Sequence, residues 1–289
     1  MEKKFDLKST LICGGEILLI IVIYKLAMTL IELIATPIYR KIGWLADGEK
    51  LTVTSEFTLS NVIAYTIGIL IALFGYYLIV KTKKAKLFKY TSMDKFSPKF
   101  AIVAAIFGFC VNVTVMYVMM LGKENDTLGN IYKEYLKTAK SGSVWIMLVF
   151  VGFLIPVFEE LIYRGLIFNI IREKASLGVS IALQAILFVV FEMIVGGSQF
   201  SIVESSYGFV MAVAFALFYY WSGSLWSSIF ARSFKNLAAL IIVAFIDEKL
   251  FISCRYIFMT LTFVGIIAAF VGMAIMGKKN KAAIAEKNA

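Results

Sequence analysis

Within the apolar run IPVFEELIYRGLIFNII, Glu159, Glu160 and Arg164 stand close together, with Glu160 and Arg164 four positions apart and so on one helical face. Carboxylates placed this way could act as general base or as metal ligands, and an arginine could orient them through its fork of donors. Further along, FVVFE sets Glu192 one turn after Phe188, and ARSFKNL sets Asn236 one turn after Arg232, with Lys235 on an adjacent face. An ionisable residue at mid-membrane costs about 2.5–3.5 kcal/mol on insertion scales, so a group of them implies a shared polar interior. A buried ion-pair network that only fixes helix registry accounts for the same spacing, because deleting one partner strands the other at about 3–5 kcal/mol. On the first apolar run, Glu16 and Glu32 fall near the membrane boundaries, where snorkelling is cheap, and only Lys25 needs an interior partner.

The elements that must position these residues follow from composition. Of 289 residues 61% are hydrophobic, three are proline, and mean hydropathy is +0.86, which is outside the soluble globular range. The expected class is all-α and polytopic, with spans near 10–36, 59–80, 99–121, 143–171, 177–196, 206–222, 224–246 and 254–277, about eight helices. The first run is long enough to span and stay, so a cleaved signal peptide is not expected. Pro156, just before the glutamates, predicts a kink or a division of the fourth helix. Three parts are expected: 1–142, N-terminal spans and loops; 143–246, the core bearing the charged helices; 247–289, the last span and a basic tail.

Other counts exclude functions. No histidine occurs, which removes the usual zinc ligand and the usual general base together. Cys13, Cys110 and Cys254 show no CxxC spacing and read as small packing residues. The net charge of +10 comes from lysines at the ends of apolar runs, which fits anionic headgroups and topology, not nucleic acid. Sixteen Lys and Arg lie in the N-terminus, the 81–99 loop, 172–174 and the tail, against eight on the opposite side. Positive-inside reasoning therefore places both termini in the cytoplasm, with the plasma membrane as the expected location. The external segment 122–142, with Ile131, Tyr135 and Leu136 among charges, reads as a short interfacial helix or a solvated loop.

The order and spacing of the motifs resemble the CAAX protease and bacteriocin-processing (CPBP, Abi, lysostaphin-resistance-like) family of intramembrane proteases, over about residues 143–240. Its EExxxR motif is matched by Glu159-Glu160-Leu161-Ile162-Tyr163-Arg164, followed by Gly165. Its FxxxH motif is matched as a frame by Phe188, with Glu192 at the histidine position. Its HxxxN motif is matched by SGSLWSSIFARSFKNL, with Arg232 at the histidine position and Asn236 at the asparagine. The resemblance implies a CAAX-protease-like helical bundle in which a glutamate activates water and the third motif stabilises an oxyanion. Glu159 and Glu160 would be base and neighbour, Arg164 their orienter, and Asn236 an oxyanion donor.

The replacements alter that expectation. A carboxylate cannot do the work of neutral imidazole, and an arginine with a pKa above about 12 cannot shuttle protons. Glu159, Glu160 and Glu192 could ligate zinc, but a guanidinium in the same place opposes the cation, so no cofactor is expected. Glu192 and Arg232, opposite in charge, are expected to pair across the former catalytic centre. The expected function is a pseudoprotease: a scaffold or regulator for membrane or cell-envelope proteins, signalling proteins or bacteriocin immunity. Membrane lipids are further partners, and Lys-, Ile- and Phe-rich usage suits a low-GC Gram-positive bacterium. The alternative is an active endopeptidase using Glu159 or Glu160 as base and Arg232 with Asn236 as oxyanion site. A cation or proton transporter ranks behind both, since no inverted repeat is evident.

Overall fold

The computed structural model describes residues 7–41, 59–120, 133, 144–196, 201–246 and 248–288. All regular elements among them are helical, as expected where no water is present to satisfy an open backbone. They are α1 (Leu7–Lys41), α2 (Leu59–Thr82), the single turn α3 (Leu87–Tyr90) and α4 (Pro98–Met120). Then come α5 (Val144–Lys174), α6 (Leu177–Gly196), α7 (Ile202–Ser222), α8 (Leu225–Phe245), the short α9 (Glu248–Ser253) and α10 (Arg255–Asn288). The chain is thus an all-α, polytopic membrane protein.

All eight segments expected to span are helical, and six of the described helices are long and apolar enough to cross a bilayer: α1, α2, α4, α5, α7 and α10. The other two fall short for different reasons. The apolar stretch of α6, Leu177–Met193, is short. In α8, Ser227, Ser228, Arg232, Ser233, Lys235 and Asn236 interrupt the apolar run. The segment 122–142, expected as a short interfacial helix or a solvated loop, lies outside the described residues, apart from Lys133.

The interruption expected at Pro156 takes a particular form. α5 continues through the proline, with two stretches of wider π-helical turn, Phe150–Leu154 and Leu161–Phe168, flanking Ile155–Glu160. Proline has no N–H to return to a carbonyl one turn earlier, and a wide turn is one way a helix absorbs that defect without breaking.

By packing, the chain forms two units: Met1–Thr54 with Thr58–Asp94 and Phe158–Leu217, and Ser55–Phe57 with Lys95–Val157 and Phe218–Ala289. In the first unit α1 lies against α2. Gly75 permits the approach, since a Cβ there would come 2.7 Å from a methyl of Ile23. The buried Tyr76 hydroxyl donates to Ile20 O at 3.3 Å. At one end, Lys83 Nζ bridges Glu16 (2.9 Å) and Glu173 (3.2 Å), and the Tyr90 hydroxyl donates to Glu173 at 2.7 Å. Asn169 Nδ2 donates to Tyr90 O at 2.9 Å. These bonds put the start of α1, the end of α2 and the end of α5 on one side of the bilayer.

In the second unit α4 is the central helix, packed on α8 and α10. Cys110 Sγ fills the space over Gly265, as expected of a packing cysteine. Thr114 and Thr262 share a hydrogen bond at 2.8 Å, and Tyr117 stacks on Phe251 with centroids 4.2 Å apart while donating to its carbonyl at 3.0 Å.

Candidate functional site

The EExxxR spacing does two separate things in the folded chain. Glu160 and Arg164 are fully buried and form an ion pair at 2.8 Å within α5. Arg164 Nη2 also donates to Ala212 O of α7 at 3.0 Å, and its guanidinium lies 5.7 Å from the Phe188 ring of α6 and 5.4 Å from Phe215 of α7. One arginine therefore ties three helices together through an ion pair, a backbone bond and two aromatic faces. The geometry is that of a registry device.

Glu159, the neighbouring carboxylate, is only half-buried and is turned by about 100° from Glu160, as one helical step requires. On this side stand two tyrosines from the N-terminal helices, Tyr24 of α1 and Tyr65 of α2, whose hydroxyls share a hydrogen bond at 2.6 Å. Tyr24 packs against Phe158 and Phe191 with centroids 5.7 and 5.3 Å away, the residues immediately preceding Glu159 and Glu192. Glu159 and Glu192 both act electrostatically on the two phenols. The structure thus gathers Glu159, Glu192, Tyr24 and Tyr65 within the first unit, and Glu192 is exposed.

Arg232 and Asn236 belong to the second unit. Arg232 is buried on α8; Lys235 and Asn236 are half-buried. Asn236 Nδ2 donates to Val151 O at 2.9 Å, in the first π-turn of α5. A carbonyl five residues before Pro156 cannot receive the π-type bond, because proline lacks the donor, and the asparagine amide supplies one instead. One N–H of Asn236 is thus committed to bracing α5.

The SGSLW lead-in also acquires a physical role. Gly223 takes φ +67°, a left-handed position that ends α7. Ser224 then caps α8 by accepting from Trp226 N, and its hydroxyl donates to Lys95 O. Ser222 Oγ donates to Phe218 O at 2.8 Å and accepts from Ser224 N at 3.1 Å. The two serines and the glycine set where α8, and with it Arg232 and Asn236, begins.

Sequence reasoning passed over three residues that the fold brings into play. Tyr24 and Tyr65 sit on helices that read only as generic spans. Gln184, on α6, is fully buried, and neither of its amide atoms has a partner among the described residues. Its signal was available: Gln184, Phe188 and Glu192 recur every four positions along one face. Among the described residues no group of three or more His, Cys, Asp or Glu side chains is placed to hold a metal ion. The three carboxylates considered as ligands are divided, with Glu160 closed on Arg164.

Comparison with known proteins agrees with the motifs. Residues 141–238 match the family described as type II CAAX prenyl endopeptidase Rce1-like. Neither a curated protein nor a solved structure matches the chain. The matched segment, about a third of the chain, holds Glu159, Glu160, Arg164, Glu192, Arg232 and Asn236 together, and over that segment this polytopic chain is similar to the type II CAAX prenyl endopeptidases.

Proposed function

We propose that this protein uses the family's helical core to bind other membrane or cell-envelope proteins and does not hydrolyse peptides. The observation that carries this reading is the Glu160–Arg164 pair. One of the two motif glutamates is fully buried and neutralised within α5, so the remaining carboxylate, Glu159, would have to activate water by itself. The chain contains no histidine to assist it. A carboxylate at Glu192 cannot be hydrogen-bond donor and neutral ligand at once as imidazole can, and a guanidinium at Arg232 cannot shuttle protons. In this reading the protein works in the plasma membrane with both termini in the cytoplasm, as a regulator of envelope, signalling or immunity proteins. It requires no cofactor and no nucleic acid.

A second reading has one observation in its favour. Glu159 is half-buried beside hydrogen-bonded phenols, a setting in which a carboxylate could serve as base while Arg232 and Asn236 receive a developing oxyanion. Metal analysis of the purified protein, paired with cleavage of a peptide library, separates the two for wild type and Glu159→Ala. Binding without chemistry predicts no cleavage and no stoichiometric metal from either protein, with any cellular phenotype surviving Glu159→Ala. Cleavage that disappears in the variant while protein level is unchanged would establish the peptidase.

A further inference from the structure

The outward side of α8 carries a ladder of rings that the motif chemistry does not use. Trp226, Phe230 and Phe234 recur every four residues; Trp226 and Phe230 lie 6.4 Å apart, and Phe230 stacks on Phe234 at 6.1 Å with planes 14° apart. Phe96, just before α4, completes the top of the ladder, edge-on to Trp226 at 6.1 Å and 6.1 Å from Phe230. Phe96 is 56% exposed and Phe234 37% exposed, whereas Arg232 on the same helix is buried. The ladder is therefore a separate face from the one bearing the motif.

Lysines gather at its upper end. The backbone of Lys95 is pinned to the α8 cap by Ser224, and Lys95 and Lys99 are both exposed. α10 returns to the same turn: Asn280 Nδ2 donates to Ser222 O, and Lys281 sits over the Tyr220 ring. Lys278 and Lys279, just before Asn280, are exposed. The acids closest in sequence are Asp94, next to Lys95, and Glu286, two turns further along α10. An ordinary interfacial aromatic belt holds rings at headgroup level only. This ladder descends two turns of α8, about 12 Å, from the lysines towards the bilayer interior.

We infer that this face is the seat of an anionic phospholipid, with its phosphate at Lys95 and Lys99 and an acyl chain along Phe96, Trp226, Phe230 and Phe234. Charge complementarity selects an anionic headgroup, at about 1 kcal/mol per lysine near a membrane surface, and the length of the ladder selects a lipid over a soluble anion. The inference is independent of whether the core cleaves or only binds.

The test uses the full chain in vesicles containing phosphatidylglycerol or phosphatidylcholine with brominated acyl chains at equal minor fraction. Quenching of Trp226 is read as the difference between wild type and Trp226→Phe. Stronger quenching by the brominated anionic lipid, by about tenfold in apparent affinity, and loss of that preference in Lys95→Gln/Lys99→Gln support the seat. Equal quenching by the two lipids overturns it, as does a preference that persists in the double variant. A preference abolished by millimolar inorganic phosphate also overturns it, by showing a free-anion site. Native mass spectrometry of wild type and the double variant gives a readout that does not depend on Trp226: the most tightly retained phosphatidylglycerol is lost in the variant, and identical retention rejects the proposal.

Discussion

At the scale of single residues, charge inside the membrane is tolerated here because it is locally closed. Removing one partner of the Glu160–Arg164 pair leaves a fully buried charge without its counterpart, so Glu160→Gln and Arg164→Met should each cost about 3–5 kcal/mol in reversible detergent unfolding. Glu160→Leu combined with Arg164→Met should be milder than either single change, since both charges are then gone. A double variant as damaged as the sum of the two singles would count against the registry role. The second closed group, Lys83 between Glu16 and Glu173, lies just beyond α2. Burial pushes the Lys83 ammonium down, but the hydrogen bonds it donates to the two carboxylates outweigh that and hold its pKa above the usual lysine value of 10.5. A raised value stabilises the fold below the ordinary lysine pKa, and that contribution is lost as pH rises through the raised value. Lys83→Met should therefore be less stable than wild type by about 1 kcal/mol at neutral pH, and the difference should shrink as pH rises through the raised value, which pH-dependent unfolding of the two proteins measures.

Helix contacts are decided by very small differences in side-chain size. A Cβ on Gly108 of α4 would come 1.9 Å from Ala231 O on α8 and 3.0 Å from Lys235 N, both backbone atoms that cannot yield without moving the helix. Gly108→Ala should destabilise by about 1–3 kcal/mol and displace the helix that carries Arg232 and Asn236. Gly178, at the start of α6, has nothing within 4 Å of where a Cβ would stand, so Gly178→Ala should be neutral or stabilising by up to about 1 kcal/mol through helix propensity. Parallel melting curves of the two variants make the comparison, and a Gly108→Ala protein as stable as wild type would reject the close crossing. α5 shows the same dependence on a distant partner. Pro156 announces a defect in the sequence, but the π-turns and the Asn236 amide that repair it appear only when α8 is packed nearby.

For the molecule as a whole, the bridge from Lys83 to Glu16 and Glu173 gives the first unit a shared end for α1, α2 and α5, which is the lysine-rich side. If the lysine-rich segments, the C-terminal tail among them, are cytoplasmic, a fluorescent reporter fused after Ala289 should fold and emit, and an alkaline phosphatase fusion there should be inactive. The reverse pattern would invert the topology. Hydrophobic length, helix positions and the EExxxR pairing could all be read from sequence, because lipid demands long apolar helices and a four-residue spacing puts two side chains on one face regardless of the rest of the fold. The similarity to CAAX endopeptidases over residues 141–238 followed from the same local patterns. Tertiary structure alone decided that the Glu160–Arg164 pair is anchored to α7, that Glu159 faces Tyr24 and Tyr65, and that Asn236 braces α5. Each of these is a meeting of residues far apart in the chain, and such meetings depend on how apolar helices pack, which uniformly apolar sequences barely encode.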